Sequence, residues 1–180
     1  MDHIKLETGD IIFLSRRSII VCFMSLFQSD PVIWGHVLVV KDNEKAWEAN
    51  AHRIEEIDVW ERIDNAPAYK IIRHTELTET QKETMRSEAP KLLGLEYGFW
   101  RIFLQFFDHI FGTNWFTSKE ESENIQVCSS YVAWIYDKAC DYHFNDVTWA
   151  SCDPDDIEDE SIKCPDKWIV IVENGVETVK

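Results

Sequence analysis

Trp34-Gly35-His36-Val37-Leu38-Val39-Val40 is followed, across the polar turn Lys41-Asp42-Asn43-Glu44-Lys45, by Ala46-Trp47-Glu48-Ala49-Asn50. The β-branched run on one side of a polar turn and the short apolar run on the other predict a hairpin of residues 35–40 and 46–49. Two residues do not suit that reading. His36 is an imidazole at the head of an otherwise apolar strand, and Glu48 is an acid in the middle of a short strand, where acids are disfavoured. Each has a purely structural explanation: a hydrogen-bonded core or edge histidine, and a solvated edge-strand glutamate. The hairpin nevertheless brings the two strands side by side, and cross-strand side chains approach to about 5 Å. A base and an acid able to orient it therefore lie within reach of one another.

The flanking segments extend the same pattern. Leu6-Glu7-Thr8-Gly9-Asp10 reads as a turn before the apolar strand 11–14. Ser18 caps an expected short helix, 19–27, which Asp30-Pro31 ends. Residues 53–60 alternate and predict a strand, and 68–73 another. Thr78 and Gln81 form a capping-box pattern for a helix that Gly94 stops. Residues 97–111 predict a second, very aromatic helix, and 127–139 a third. Asp153-Pro154-Asp155-Asp156-Ile157 reads as a capped helical turn with Pro154 in its first position. Residues 168–172 close the series as a strand. Strands first, then helices, then a strand give an α+β class. The 180 residues suit one domain spanning 1–180.

Charge restricts the partners. Eighteen Lys and Arg stand against 33 Asp and Glu, a net charge of −15. Sequence-independent binding to nucleic acid or to an anionic membrane needs a basic surface, so neither is expected. An acidic protein would suit a cationic ligand, such as the free amino group of a peptide. The apolar stretch 18–27 is too short to span a bilayer and lacks a small-residue cleavage pattern. A cytoplasmic protein without stable membrane insertion is expected.

The five cysteines are Cys22, Cys128, Cys140, Cys152 and Cys164. The odd number and absence of a Cys-x-x-Cys pair argue against a disulfide framework and against structural zinc, and neither a metal nor a cofactor is expected. Cys128 is the one placed for chemistry. It opens the expected helix 127–139, where unsatisfied N–H groups and the helix dipole favour a thiolate and a developing oxyanion. Its structural reading is a small buried hydrophobe. A nucleophilic thiol needs a base, and His36 is the candidate. His52 is the serious rival; His3 lies at a terminus, His74 and His143 in polar turns, and His109 inside the aromatic helix. Glu48 would orient the base.

These segments together resemble a known family. Gly9-Asp10-Ile11-Ile12-Phe13, Trp34-Gly35-His36-Val37-Leu38-Val39, Trp47-Glu48-Ala49 and Val127-Cys128-Ser129-Ser130-Tyr131-Val132 occur in the order seen in circularly permuted papain-fold proteins. These are the YiiX-like members of the NlpC-type superfamily, related to lecithin–retinol acyltransferase. Leu95-Glu96-Tyr97-Gly98 and Asp153-Pro154-Asp155-Asp156-Ile157 resemble further family segments, and the likeness spans about residues 6–172. The family often has Ser before its histidine; Gly35 stands there in this chain. The resemblance implies a central antiparallel sheet packed with helices. It also implies Cys128 as nucleophile, His36 as base and Glu48 as orienting acid in a hydrolase acting on an amide or ester bond of a small peptide or acyl-containing substrate. Two other readings stay open: a lipid acyltransferase or phospholipase-type enzyme of the same fold, and a non-catalytic ligand-binding module. The aromatic helix 97–111 is expected in the core; its alternatives are an acyl-chain pocket or a homo-oligomer contact.

Overall fold

The computed structural model describes residues 4–15, 34–50, 53–95, 128–173 and 176–177. The expected helices 19–27 and 97–111 lie outside them, as do Cys22, His3, His52 and His109. Within the described residues seven strands form one antiparallel sheet: β1 (Ile11–Leu14), β2 (His36–Val40), β3 (Lys45–Ala49), β4 (Ile54–Asp58), β5 (Tyr69–His74), β6 (Trp168–Glu173) and β7 (Val176–Glu177). Their order across the sheet is β4-β3-β2-β1-β5-β6-β7. Among the described residues four α-helices accompany them: α1 (Val59–Asp64), α2 (Glu79–Glu88), α3 (Cys128–Cys140) and α4 (Pro154–Lys163). The α+β class and the antiparallel sheet packed with helices are as expected.

β1 is the central strand, and all four of its residues are buried. Its unbroken apolar sequence follows from cover on both faces. Ile11, Phe13, Val37, Val39, Trp47 and Ile72 face α3 through Tyr131, Val132, Ile135 and Tyr136. Ile12, Leu14, Leu38, Val40 and Ile71 face the other way, toward Val59 and Ile63 of α1. Asp10, almost fully buried just before β1, receives Arg73 of β5 as a fork: Nε to Oδ1 at 2.7 Å and a terminal nitrogen to Oδ2 at 2.8 Å. This ion pair joins the start of β1 to its neighbour across the sheet.

Three elements differ from the sequence reading. The strand expected over 53–60 ends at Asp58, whose carboxylate accepts the N–H groups of Trp60 and Glu61 and starts α1. An Asp side chain satisfying a helix start outweighed the strand preference of Val59 and Trp60. The helix after Thr78 has its capping box, but it tightens into a 3₁₀ turn at Ala89–Leu92, where Pro90 cannot continue the α-helical hydrogen bonds. The capped turn at 153 continues as the ten-residue α4, with a reciprocal capping box between Asp153 and Asp156.

Gly9 has φ of +92°, and a Cβ there would lie 2.5 Å from Leu77 Cδ1. Its carbonyl accepts the buried Tyr136 hydroxyl from α3. Gly9→Ala is expected to lower stability by about 1–3 kcal/mol, from left-handed backbone strain plus the displaced Leu77. Urea unfolding measures this, and wild-type stability would show that the turn relaxes without loss.

Candidate active site

The hairpin β2–β3 carries two of the expected site residues. Val39 pairs with Trp47 and Val40 with Ala46. Continued along the strands, this register sets Glu48 level with Leu38, two residues beyond His36. The contact is therefore diagonal, and the length of the glutamate side chain spans it. His36 Nε2 lies 2.6 Å from Glu48 Oε1, with Glu48 fully buried and His36 nearly so. The segment ahead of His36 is fixed by Trp34, whose indole N–H donates to Glu158 of α4 at 2.9 Å. Buried Lys70 of β5 holds the same carboxylate at 2.8 Å.

Cys128 stands in the first turn of α3, as expected. Three buried hydroxyls anchor this helix along its length. Ser129 Oγ donates to the Cys152 carbonyl at 2.8 Å, Tyr131 to the Ala89 carbonyl at 2.9 Å, and Tyr136 to the Gly9 carbonyl. A buried hydroxyl without a partner is costly, so these three contacts set both the rotation and the axial position of α3. They bring the Cys128 thiol against His36, with which it shares a hydrogen bond. Nε2 of His36 is taken by Glu48, so the imidazole contacts both the thiol and the carboxylate.

Backbone donors complete the surroundings of the sulfur. The N–H of Val40 bonds to the Asp10 carbonyl, so β2 turns the amides of even-numbered residues toward β1 and those of Val37 and Val39 toward β3. The β2–β3 ladder has its last pair at Val39 and Trp47. The Val37 N–H, one step beyond, is directed at Cys128 Sγ, as is the Ser129 N–H.

The electrostatics follow from these contacts. Burial alone would push the Cys128 thiol up, but the His36 charge and the two backbone N–H groups outweigh it and hold the thiol below its ordinary value. Burial alone would lower His36; the Cys128 thiolate and the Glu48 carboxylate reverse this and hold the imidazole at about 9. Burial would raise Glu48, yet His36 and Arg62 keep it below the usual carboxylate range. All three shifts favour the charged forms: thiolate, imidazolium and carboxylate.

The other described candidates lie elsewhere. His74 is lowered by burial and sits edge-on to Trp168 and Tyr142, with centroid distances of 4.9 and 5.3 Å. His143 faces Asp137 and Asp141 near the far end of α3. Cys140, Cys152 and Cys164 are free thiols, each pushed up, chiefly by desolvation. Two participants escaped the sequence reading. Arg62 directs its Nε and a terminal nitrogen at Glu48 Oε2, at 2.7 and 2.6 Å. It lies just past the stretch 53–60 expected as a strand, and only a buried acid's need for a cation could have pointed to it. The Val37 amide has no side-chain signature at all.

No family model matches the chain, and no curated protein matches it. In structure it is similar to the metalloprotein yiiX from Escherichia coli O157:H7, a crystal structure, with a TM-score of 0.67 and 17% identity. The match covers 94% of this chain and 98% of that one. The fold is YiiX-like.

Two measurements check the charge state. In NMR titrations the His36 ring is expected to stay protonated until pH rises through about 9, and to titrate at least about one unit lower in Cys128→Ser, where the thiolate is gone. An unchanged midpoint would remove Cys128 as the cause. Limiting iodoacetamide should label Cys128 before Cys140, whose thiol is pushed up to about 11. Mass spectrometry of the folded protein reads the order, and preferential labelling of Cys140, Cys152 or Cys164 would contradict it.

Proposed function

We propose that the protein is a cysteine-dependent hydrolase of the permuted papain, NlpC-type kind, acting on an amide or ester bond. The observation that carries this reading is the buried row Cys128–His36–Glu48, in which the thiol is lowered and the imidazole raised. Catalytic nucleophiles and bases need such opposite shifts, and ordinary buried cysteines and histidines move the other way. The YiiX-like fold agrees with it, as does the order of the three residues along the chain.

In this reading the Cys128 thiolate attacks the carbonyl carbon and forms a C–S bond. The negative charge passes to the carbonyl oxygen, which backbone N–H groups at the start of α3 stabilise. As the bond to the leaving nitrogen or oxygen breaks, His36 gives that atom its proton. Neutral His36 then takes a proton from water, the hydroxide attacks the thioester, and the thiolate leaves, restoring the starting pair. Glu48 holds the ring and stabilises its charged form. The substrate is a small peptide or acyl-containing compound.

The yiiX structure is that of a metalloprotein, so the donors of this chain bear on whether it would hold an ion. Among the described residues one group of three could converge on a cation: Asp137, Asp141 and His143. It does not fit a built centre. Asp141 and His143 are exposed, and Asp137 already faces Lys138 at 3.4 Å. Nor does the Cys128 row fit one readily, because Nε2 of His36 and both oxygens of Glu48 already have protein partners.

A panel of aryl esters and short peptide amides, with acid trapping and mass spectrometry, tests the reading. An acyl group on Cys128 is expected during turnover, and its absence with every substrate that is cleaved would refute the thioester route. Activity should fall as pH rises through about 9, where His36 loses the proton that the leaving group needs. Glu48→Gln should lower turnover about 10–100-fold, or about 1.4–2.7 kcal/mol of transition-state stabilisation. Full activity in folded Glu48→Gln would leave a Cys–His dyad.

A further inference from the structure

We propose that Arg62 is a positioning residue of this site: by occupying one oxygen of Glu48 it keeps that carboxylate ionised and turned so that the other oxygen is reserved for His36. The inference rests on the Cys128 nucleophile reading and deepens it. Both Arg62 contacts converge on Oε2, Nε at 2.7 Å and a terminal nitrogen at 2.6 Å, while Oε1 meets His36 at 2.6 Å. Two N–H groups of a rigid guanidinium on one oxygen hold the carboxylate plane more firmly than the histidine contact does.

The surroundings explain why this carboxylate needs a second cation. Glu48 has no exposed side-chain surface, whereas Arg62 is 31% exposed and keeps part of its hydration. On β4, Glu55 stands directly opposite Glu48, and like charges in that position repel. Glu55 has its own partners in Arg53, at 2.9 Å, and Asn50. On β2 the facing group is His36, and beyond it on α3 is Cys128. Thiolate, imidazolium, carboxylate and guanidinium then sum to zero charge. Without Arg62 the three remaining groups sum to a negative charge, and a proton taken up by Glu48 relieves it. A neutral Glu48 no longer supports imidazolium, so the proton shared by Cys128 and His36 returns to sulfur.

The two effects of Arg62, charge and orientation, separate in two variants. Arg62→Gln removes both, while Arg62→Lys keeps the charge and loses the planar fork. Iodoacetamide alkylation of Cys128, read by mass spectrometry between about pH 5.5 and 8.5, is compared with wild type, with near-UV circular dichroism to verify folding. Wild type is expected to lose less than about threefold in rate from about pH 8 to about pH 6. Arg62→Gln should lose at least about tenfold over that interval while staying within about threefold of wild type at about pH 8. Arg62→Lys should regain the wild-type pH dependence at a rate lowered a few-fold throughout. A residue that only stabilises α1 would lower the melting temperature of Arg62→Gln and leave the profile unchanged, and that result overturns the proposal. If Arg62→Gln does not fold, Arg62→Lys decides alone, and wild-type rates at every pH overturn it. A wild-type Cys128 that is itself unreactive at about pH 6 refutes the thiolate reading, and the proposal falls with it; failure in Arg62→Gln alone leaves that reading standing.

Discussion

The carboxylate of Glu48 is a charge with no access to water, and the architecture around it answers that constraint. An ion in such a place costs several kcal/mol unless it is paired and hydrogen-bonded on its remaining lone pairs. Two of its partners come from different elements: His36 from β2 at one oxygen, and Arg62 from α1 at the other. α1 also presses Val59 and Ile63 into the apolar layer on that side of the sheet. The short helix thus supplies both a cover for the sheet and a counterion for the buried acid. Removing any one of these charges would leave another less well compensated, so the geometry of His36 is tied to the stability of the hairpin that holds it.

The thiol approaches from α3, and polar contacts decide where that helix rests. Apolar packing of Tyr131, Val132, Ile135 and Tyr136 presses α3 to the sheet, but burial is non-directional and tolerates sliding. The hydroxyls of Ser129, Tyr131 and Tyr136 do not, because each has one carbonyl to reach. The early end of the β2–β3 ladder matters in the same way. An amide that would have paired with β3 is directed at sulfur instead, so the sheet lends a donor to the site at the place where its own pairing stops.

Much of this was readable from the chain, for identifiable reasons. The hairpin is legible because its β-branched run and polar turn are local signals, and His36 and Glu48 stood out because they violate the pattern they sit in. Cys128 was placed by the helix that follows it. The residues that act through others were not legible. Arg62 lies beyond Asp58, and whether Asp58 ends a strand or caps a helix depends on tertiary packing, which propensity does not encode. The diagonal offset of Glu48 from His36 needs the register, and the register is visible only once Val39 is seen against Trp47. The pairing of Asp10 with Arg73 joins residues 63 apart and has no local signature.

His36 and Glu48 are 12 residues apart, whereas Cys128 follows Glu48 only after the rest of the sheet but β6 and β7 has been laid down. A hairpin closes in microseconds, and contacts between distant segments form later because their loop closure costs more entropy. His36 and Glu48 can therefore meet as soon as their hairpin emerges during synthesis, while the thiol lacks its imidazole until α3 docks. Until then Cys128 has the weak reactivity of a free cysteine. The chain thus brings the proposed nucleophile to its imidazole late, when β1 to β5 have already been made.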